Sequence, residues 1–214
     1  MKIKCADTGK RFNREWIFRN FNVEFQAGGK YAITGANGSG KSTLLQVIAG
    51  AIMSSEGKVH YSNTSTTSIE VDHVYKFISI AAPYLDLIEE MTLEEFLSFH
   101  QAFKPFLPGI GGTDIIATTG LQSAAKKQIR YYSSGMKQRV KLAQAIFSNT
   151  PCLFLDEPCT NLDEAGIQLY QQLIDTYCNN RLVIVSSNDK QEYGFCSEKI
   201  DITDYKNKVP QLPA

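Results

Sequence analysis

The stretch that most constrains how this chain can fold is Gly35-Ala36-Asn37-Gly38-Ser39-Gly40-Lys41-Ser42-Thr43. It matches G-x-x-x-x-G-K-[ST], the pattern of a phosphate-binding loop. Its glycines allow backbone conformations that other residues avoid, so that successive N–H groups converge on an anion. Lys41 supplies positive charge for the β- and γ-phosphates of a nucleotide, and the Ser42 hydroxyl suits Mg²⁺. The residues predicted to hold the phosphates are Gly35, Asn37, Gly38, Ser39, Gly40, Lys41, Ser42 and Thr43.

The flanking residues give this loop the context that it needs. The segment Lys30–Thr34 is typical of a short buried strand, and the apolar residues from Leu44 to Ala49 predict an amphipathic helix that stops at Gly50. Bound phosphates would then lie at the N-terminus of that helix, where free N–H groups and the helix dipole favour negative charge.

Composition excludes several classes of function. The 214 residues are enough for one large domain, and 22 Lys and Arg balance 22 Asp and Glu, so net charge gives no indication of a nucleic-acid or anionic-membrane partner. No apolar run reaches the ~18–20 residues that a membrane span needs. The N-terminus lacks the apolar core of a secretion signal. The five cysteines form no CxxC pair, which favours reduced thiols in the cytoplasm.

The segment before the phosphate-binding loop is predicted to form antiparallel strands as far as Phe25, because Phe21–Phe25 alternates apolar and polar residues. Phe12 and Trp16 lie in this segment. Either ring could stack on a nucleotide base, since adenine offers a π-face to any aromatic side chain. The alternative is that both rings pack in the core.

Helices are predicted between the first and second halves of the core. Thr92 and Glu95 have the spacing of a capping box, and a helix should follow it as far as Pro105. A second short helix is predicted to run through Ile115 and Ile116 to Gly120. We therefore take residues 84–135 as a helical subdomain inserted within a single domain that spans residues 1–214.

The core resumes with Cys152–Leu155, an unbroken apolar run typical of a central parallel strand. A helix is predicted next, and Leu182–Val185 is the following strand. The residues predicted for the buried face of that helix are Leu162, Ala165, Leu169, Leu173, Ile174 and Tyr177. Strands and helices that alternate around a phosphate-binding loop predict an α/β fold with a mainly parallel sheet.

Two acidic residues follow the Cys152–Leu155 strand. Asp156 is a candidate ligand of Mg²⁺ through water, as is the strand-end Asp of other phosphate-loop NTPases. Glu157 is a candidate base that orients or deprotonates the attacking water. A solvated turn is the usual explanation of such a pair, but the phosphate-binding loop upstream favours the chemical interpretation.

A third stretch indicates the family. Tyr132-Ser133-Ser134-Gly135-Met136-Lys137-Gln138-Arg139 resembles the L-S-G-G-Q signature of ATP-binding cassette (ABC) ATPases, with Ser133 and Gly135 at matching positions. Thr160-Asn161-Leu162-Asp163 is similar to the D-loop of that family, and Lys10-Arg11-Phe12 to its aromatic A-loop. The resemblance covers essentially the whole chain and favours Phe12 over Trp16 as the adenine platform.

The resemblance implies a phosphate-loop NTPase core with an N-terminal antiparallel β-subdomain and a helical insertion. It also implies that ATP and Mg²⁺ join two ATPase subunits, identical or different, into a head-to-tail dimer. In that dimer Ser133 and Gly135 of one protomer face the phosphate-binding loop of the other. Hydrolysis would release the dimer and power transport through a separate membrane permease docked at Tyr84–Glu90. The chain would lie on the cytoplasmic face of the membrane, and its signature looks like that of export ATPases.

Two positions depart from the family pattern. Ala82 stands where a glutamine normally helps to ligate Mg²⁺, and Asn188 replaces a histidine that contacts the γ-phosphate. Asn188 can donate a hydrogen bond but cannot carry charge. Two readings stay open: an ATPase that powers an exporter, and a regulatory nucleotide-binding module of the same family with little hydrolysis. ABC proteins of DNA repair or translation do not fit, because they carry long coiled coils or a duplicated cassette.

Overall fold

Five parallel strands form the sheet at the centre of the molecule, in the order β6-β7-β8-β3-β9. The computed structural model describes residues 1–63 and 67–206. The strands of this sheet are β3 (Lys30–Thr34), β6 (Ile78–Ala81), β7 (Cys152–Asp156), β8 (Leu182–Ser186) and β9 (Glu198–Asp201). The strands predicted at Lys30–Thr34, Cys152–Leu155 and Leu182–Val185 are confirmed.

Strands β7 and β8 are apolar up to their last residue because both of their faces are covered. Leu153 and Leu155 of β7 point to the layer formed by the helical insertion. Cys152 and Phe154, which alternate with them, point to the layer formed by the N-terminal strands and the phosphate-loop helix. Burial on both sides is the usual condition of a parallel sheet, and it explains why this run shows no polar alternation.

The N-terminal part of the chain forms an antiparallel sheet in the order β2-β1-β4-β5, as predicted. Its strands are β1 (Lys2–Phe12), β2 (Glu15–Phe25), β4 (Glu56–Ser62) and β5 (Ser68–Ile69). The phosphate-loop helix α1 (Lys41–Ile48) packs between the two sheets. Phe18, Phe21 and Phe25 of β2 are fully buried, and they join this sheet to the core.

The insertion after β6 contains α2 (Leu93–Phe103) and α3 (Gly112–Thr118), and α4 (Ser134–Ile146) returns the chain to the sheet. Thr92 and Glu95 make the predicted capping box: the Glu95 N–H donates to the Thr92 hydroxyl, and the Thr92 N–H donates to the Glu95 carboxylate. Side chains of the insertion are continuous with the core layer on one face of the sheet. The insertion is therefore packed on the NTPase core.

The prediction for the helix after β7 was partly wrong. Helix α5 (Glu164–Tyr177) begins only after Asp163, whose side chain caps it by accepting a hydrogen bond from the Gly166 N–H. Leu162 therefore lies outside the helix, and Ala165 is exposed. The buried residues of α5 are Gly166, Tyr170, Leu173 and Ile174. A short helix α6 (Lys190–Tyr193) follows β8.

All five cysteines are free thiols. Within residues 1–63 and 67–206, no helix combines the length and the apolar character that a membrane crossing requires.

His100 is the basis of a prediction about stability. Its Nε2 lies 2.9 Å from the Ser148 hydroxyl, and its ring stacks on Phe106. Burial, and to a smaller extent the positive charge of Lys104, lower the pKa of His100 to about 4. The side chain of His100 therefore takes up a proton near pH 6.5 in the unfolded chain but only near pH 4 in the folded chain. The free energy of unfolding consequently falls as the pH drops from about 6.5 to about 4.

We expect His100→Gln to flatten the pH dependence of the melting temperature in this window, whatever its effect at neutral pH. His73→Gln, which replaces an exposed histidine, is the matched control and should leave the pH dependence unchanged. Thermal melts between pH 4 and 8 make the comparison. Parallel curves for wild type and His100→Gln would contradict the assignment.

Candidate nucleotide-binding site

Three adjacent strands end in one row, and this row defines the site. Asp156 at the end of β7 is in register with Ser186 at the end of β8, and Ser186 is in register with Ile33 of β3. The segments that follow these strands are the phosphate-binding loop after β3, Glu157 after β7 and Ser187–Asn188 after β8. Ligand sites in open α/β sheets lie at this carboxyl edge.

The glycines of the phosphate-binding loop adopt the backbone that the sequence predicts. The φ angles of Gly35, Gly38 and Gly40 are 137°, 72° and 103°, in the region that favours glycine. A Cβ atom on Gly40 would collide with the side chain of Ile17 on β2. The third glycine is thus required twice, by its own φ angle and by the close approach of the N-terminal sheet.

The side chain of Lys41 is buried within the phosphate-binding loop. Its side chain is only 5% exposed, and its Nζ donates to the main-chain oxygens of Gly35 and Ala36 at 3.0 and 3.3 Å. These carbonyl groups hold the ammonium in place but do not neutralise its charge. The loop is therefore prepared for an anion.

Asn188 closes the loop from the side of β8. Its Oδ1 accepts a hydrogen bond from the Gly35 N–H at 3.2 Å, and its Nδ2 donates to Asn37 Oδ1 at 3.0 Å. The side chain thus bridges the two ends of the exposed loop tip. The contact of Asn188 with the γ-phosphate stays a prediction.

Two buried polar atoms beside the loop have no hydrogen-bond partner among the described residues: Ser39 Oγ and Asp156 Oδ1. Asp156 is 1% exposed, and a buried carboxylate oxygen is costly to leave without a partner. A hydrated Mg²⁺ would satisfy it. The residues present therefore fit the metal that the phosphate-binding loop implies, with Ser42 and Asp156 as the side chains that would hold it.

Glu157 has an unusual backbone. Its φ angle is 43°, in the left-handed region that residues other than glycine rarely adopt, and its N–H donates to the Ser186 oxygen at 2.9 Å. Such local strain persists only where surrounding contacts hold it, and it concentrates at functional sites. The hydrogen bond to β8 is one of those contacts.

Ala82 is completely buried and has no polar side chain, so its place as the position of the family's glutamine stays a prediction. Tyr84, two residues later, is partly exposed, and both Gln46 of α1 and the charge of Asp156 act on the pKa of its hydroxyl group. Burial raises the pKa of Tyr84 to about 12, so its hydroxyl keeps its proton.

Two glutamates of the same loop are paired with basic side chains. Glu89 is paired with Lys137 at 2.6 Å, and Glu90 lies 3.6 Å from Arg130. The sequence could have indicated Tyr84 as a candidate residue through its place in the loop that follows β6, at the same carboxyl edge of the sheet.

Ser133 and Gly135 form a separate surface. Ser133 caps α4, with its Oγ accepting from the Met136 N–H at 3.3 Å. A Cβ on Gly135 would lie 3.0 Å from the Asn161 oxygen, so the signature turn packs tightly on the D-loop. Together they line a cleft of about 420 Å³ whose lining includes no residue of the phosphate-binding loop. Within one chain, the structure does not bring the two motifs together.

The aromatic candidates for base stacking lie at the end of the β1–β2 hairpin. Phe12 is 50% exposed and carries Lys10 Nζ 4.9 Å from its ring centroid. The Trp16 ring is partly buried, with Arg19 4.2 Å and Arg11 5.5 Å from its centroid. Neither ring is in the core, and Phe12 is the more accessible platform.

A phosphate-binding loop after the central parallel strand β3, with an acidic pair at the end of β7, two strands away in the same sheet, defines a P-loop NTPase. The family model described as ABC transporter matches residues 18–160, more than half of the chain. The protein therefore belongs to the ABC transporter family, and it is an ATP-binding subunit.

Known proteins extend this assignment. The chain is 28% identical over 197 residues to the uncharacterized ABC transporter ATP-binding protein YybJ of Bacillus subtilis, covering 89% of this chain and 87% of YybJ. It is 28% identical over 202 residues to the cytochrome c biogenesis ATP-binding export protein CcmA of Rhizobium meliloti, covering 93% and 96%. A dimeric post-hydrolysis structure of the cassette MJ0796 bound to ADP and Pi has a TM-score of 0.78 at 23% identity, covering 94% of each chain.

We expect Lys41→Ala to abolish tight ATP binding, because the loop loses its countercharge. Titration of a fluorescent ATP analogue measures the affinity, and a melting curve verifies the fold. Lys58→Ala removes an exposed lysine from β4 and should bind like wild type. Unchanged affinity in Lys41→Ala would contradict the assignment of the phosphate-binding loop.

Proposed function

We propose that this chain hydrolyses ATP and uses the energy to drive export through a separate membrane permease. The observation that carries the proposal is the placement of Glu157 next to Asp156, at the same edge of the sheet as the phosphate-binding loop. A subunit that only binds nucleotide would have no need of a carboxylate held there in a strained backbone conformation.

The residues divide the work between binding and chemistry. Lys41 and the main-chain N–H groups of the loop hold the phosphates, and Asn188 lies where it can donate a hydrogen bond to the γ-phosphate. Ser42 and Asp156 would hold Mg²⁺, which would supply positive charge beside the phosphate oxygens when bound. Glu157 orients the attacking water and accepts its proton, a contribution of roughly 10²–10⁴-fold in rate. Phe12 stacks on the adenine.

Two protomers complete each site. The cleft in front of Ser133 and Gly135 is open, and the N-terminal N–H groups of α4 face it without an acidic residue in the first turn. A γ-phosphate bound on the loop of one protomer can occupy this cleft in the other, where the helix dipole favours negative charge. The dimeric MJ0796 cassette supports this arrangement.

The permease contact is assigned to the loop Tyr84–Glu90 and the helical insertion behind it. Tyr84 and Ile88 are large exposed side chains in that loop, and Phe103 on α2 is 76% exposed. Exposed apolar groups in such number mark an interaction surface. The export protein CcmA supports the direction of transport, and a permease partner places the chain on the cytoplasmic face of the membrane.

A regulatory module with little hydrolysis is the second candidate. The neutral Asn188 and the absence of a glutamine at Ala82 favour it, because the site lacks a charged contact for the γ-phosphate. Tyr84 weakens this argument, since its protonated hydroxyl supplies a hydrogen-bonding group beside Asp156. Measured turnover separates the two candidates.

We expect the protein to be largely monomeric without nucleotide and to turn over ATP. Glu157→Gln with ATP and Mg²⁺ should accumulate a dimer, because the clamp forms while the water is not activated. Ser133→Arg should block that dimer by placing bulk and charge in the interface. Ser123→Arg, in the same cleft but outside the signature turn, is the comparison variant. Light scattering after size exclusion measures the mass.

Two outcomes would count against the proposal. If wild-type protein forms the ATP-dependent dimer but does not hydrolyse ATP, alone or with its permease, the regulatory function takes its place. If Glu157→Gln shows no ATP-dependent association under either condition, the head-to-tail arrangement itself fails.

We expect tagged protein from its own cells to recover a polytopic membrane protein from detergent-solubilised membranes. Ile88→Asp should abolish this recovery while ATP binding is retained, because a charge in the docking loop must be desolvated. Gln168→Asp adds the same charge to the exposed side of α5 and should not interfere. Undiminished recovery with Ile88→Asp would exclude this loop as the contact.

A further inference from the structure

Glu192 is a buried carboxyl group that the chemistry above does not use. It lies on α6 and is 5% exposed. Its Oε1 accepts a hydrogen bond from the Cys159 N–H at 2.6 Å, and the Ser187 side chain is near enough to lower the pKa of its carboxyl group. Cys159 comes two residues after Glu157, and Ser187 comes one residue before Asn188. One side chain therefore links the segment of the proposed base to the loop at the γ-phosphate.

Glu192 is itself fixed from behind. Its main-chain oxygen accepts a hydrogen bond from the hydroxyl of Tyr170 at 2.7 Å, and its N–H donates to the Asp189 oxygen at 3.0 Å. Tyr170 is completely buried on α5. The carboxylate therefore projects from a rigid support.

The segment after Glu157 is held from the opposite side as well. The Nε2 of Gln138, a buried residue of α4, donates to the Pro158 oxygen at 2.7 Å. Pro158 is thus hydrogen-bonded to the signature helix α4, and the next residue, Cys159, is hydrogen-bonded to α6. Glu157, with its φ angle of 43°, lies between its own hydrogen bond to β8 and these two bonds.

The surroundings of Glu192 indicate that its carboxylate does more than fill space in the core. Burial raises the pKa of Glu192, while the hydrogen bonds from Ser187 and Cys159 lower it, and the negative charges of Asp189 and Glu157 raise it again. Burying a carboxyl group is costly, and an apolar residue would fill this space at less cost. The carboxylate offsets this cost through its hydrogen bond with the Cys159 N–H.

We propose that Glu192 is a positioning residue that holds the Glu157 segment against the Ser187–Asn188 loop, so that the Glu157 carboxylate and the Asn188 side chain address the same γ-phosphate. This inference rests on the proposed hydrolysis of ATP. A positioning residue changes the rate of the chemical step and leaves nucleotide affinity nearly unchanged, because the phosphate-binding loop does the binding.

Glu192→Ala and Glu192→Gln test the proposal together. The alanine variant should lose about tenfold or more in kcat, as misplacement by a fraction of an ångström does, while KM for ATP stays within about twofold. The glutamine variant keeps a side-chain oxygen for the Cys159 N–H and should recover most of the rate. Glu198→Ala, at an exposed position of β9, is the matched control and should behave as wild type.

A second measurement does not depend on activity. Cys159 is nearly buried, and burial raises the pKa of its thiol to about 12, so alkylation by N-ethylmaleimide should be slow. In Glu192→Ala the released segment should expose Cys159 and accelerate its alkylation several-fold, as mapped by mass spectrometry. Cys178, which is fully buried on the same side of the sheet, should stay protected unless the whole domain loosens.

The outcomes separate the two proposals. Absence of ATP turnover in wild type would overturn the proposed function, yet faster alkylation of Cys159 alone in Glu192→Ala would still support the link. Alkylation of Cys159 at the wild-type rate would overturn the link whatever the turnover. A loss of kcat that glutamine does not restore and that follows the loss of melting temperature would reduce Glu192 to a structural residue.

Discussion

The common ending of three parallel strands governs the whole arrangement. Adjacent strands lie about 4.8 Å apart, so groups that follow β7, β8 and β3 are within the span of one triphosphate. Asp156 and Ser186 share a row of the sheet with Ile33, so the loops that follow these three strands lie close together. The two layers of buried side chains on either face of the sheet fix this row in place. The chemistry is thus a consequence of register.

A second constraint joins the two surfaces that carry nucleotide contacts. The D-loop passes close to the signature turn at Gly135, and the two residues before it are hydrogen-bonded to α4 through Gln138 and to α6 through Glu192. A displacement of α4 therefore acts on the residues beside Glu157 through short hydrogen bonds. The proposed base and the proposed clamp for the opposite nucleotide are in this way mechanically connected within one protomer.

The local parts of this picture could be predicted from sequence, and the long-range parts could not. The phosphate-binding loop, the Cys152–Leu155 strand and the capping box at Thr92 are encoded by neighbouring residues, and the structure confirms them. The interpretation of Ala82 as the position of the family's glutamine depends on an alignment of motifs, and it stays a prediction. Glu192 and Cys159 are 33 residues apart in the sequence, and no periodicity of the sequence predicts a contact over that separation.

The contact of Ile17 with Gly40 has a consequence for motion. Because the β2 side chain occupies the space that any larger residue at position 40 would need, the N-terminal sheet and the phosphate-binding loop share a common boundary with no slack. These two parts have no independent degree of freedom. A larger residue at position 40 would displace Ile17, so a change in the phosphate-binding loop would also disturb the strand β2 that packs on it.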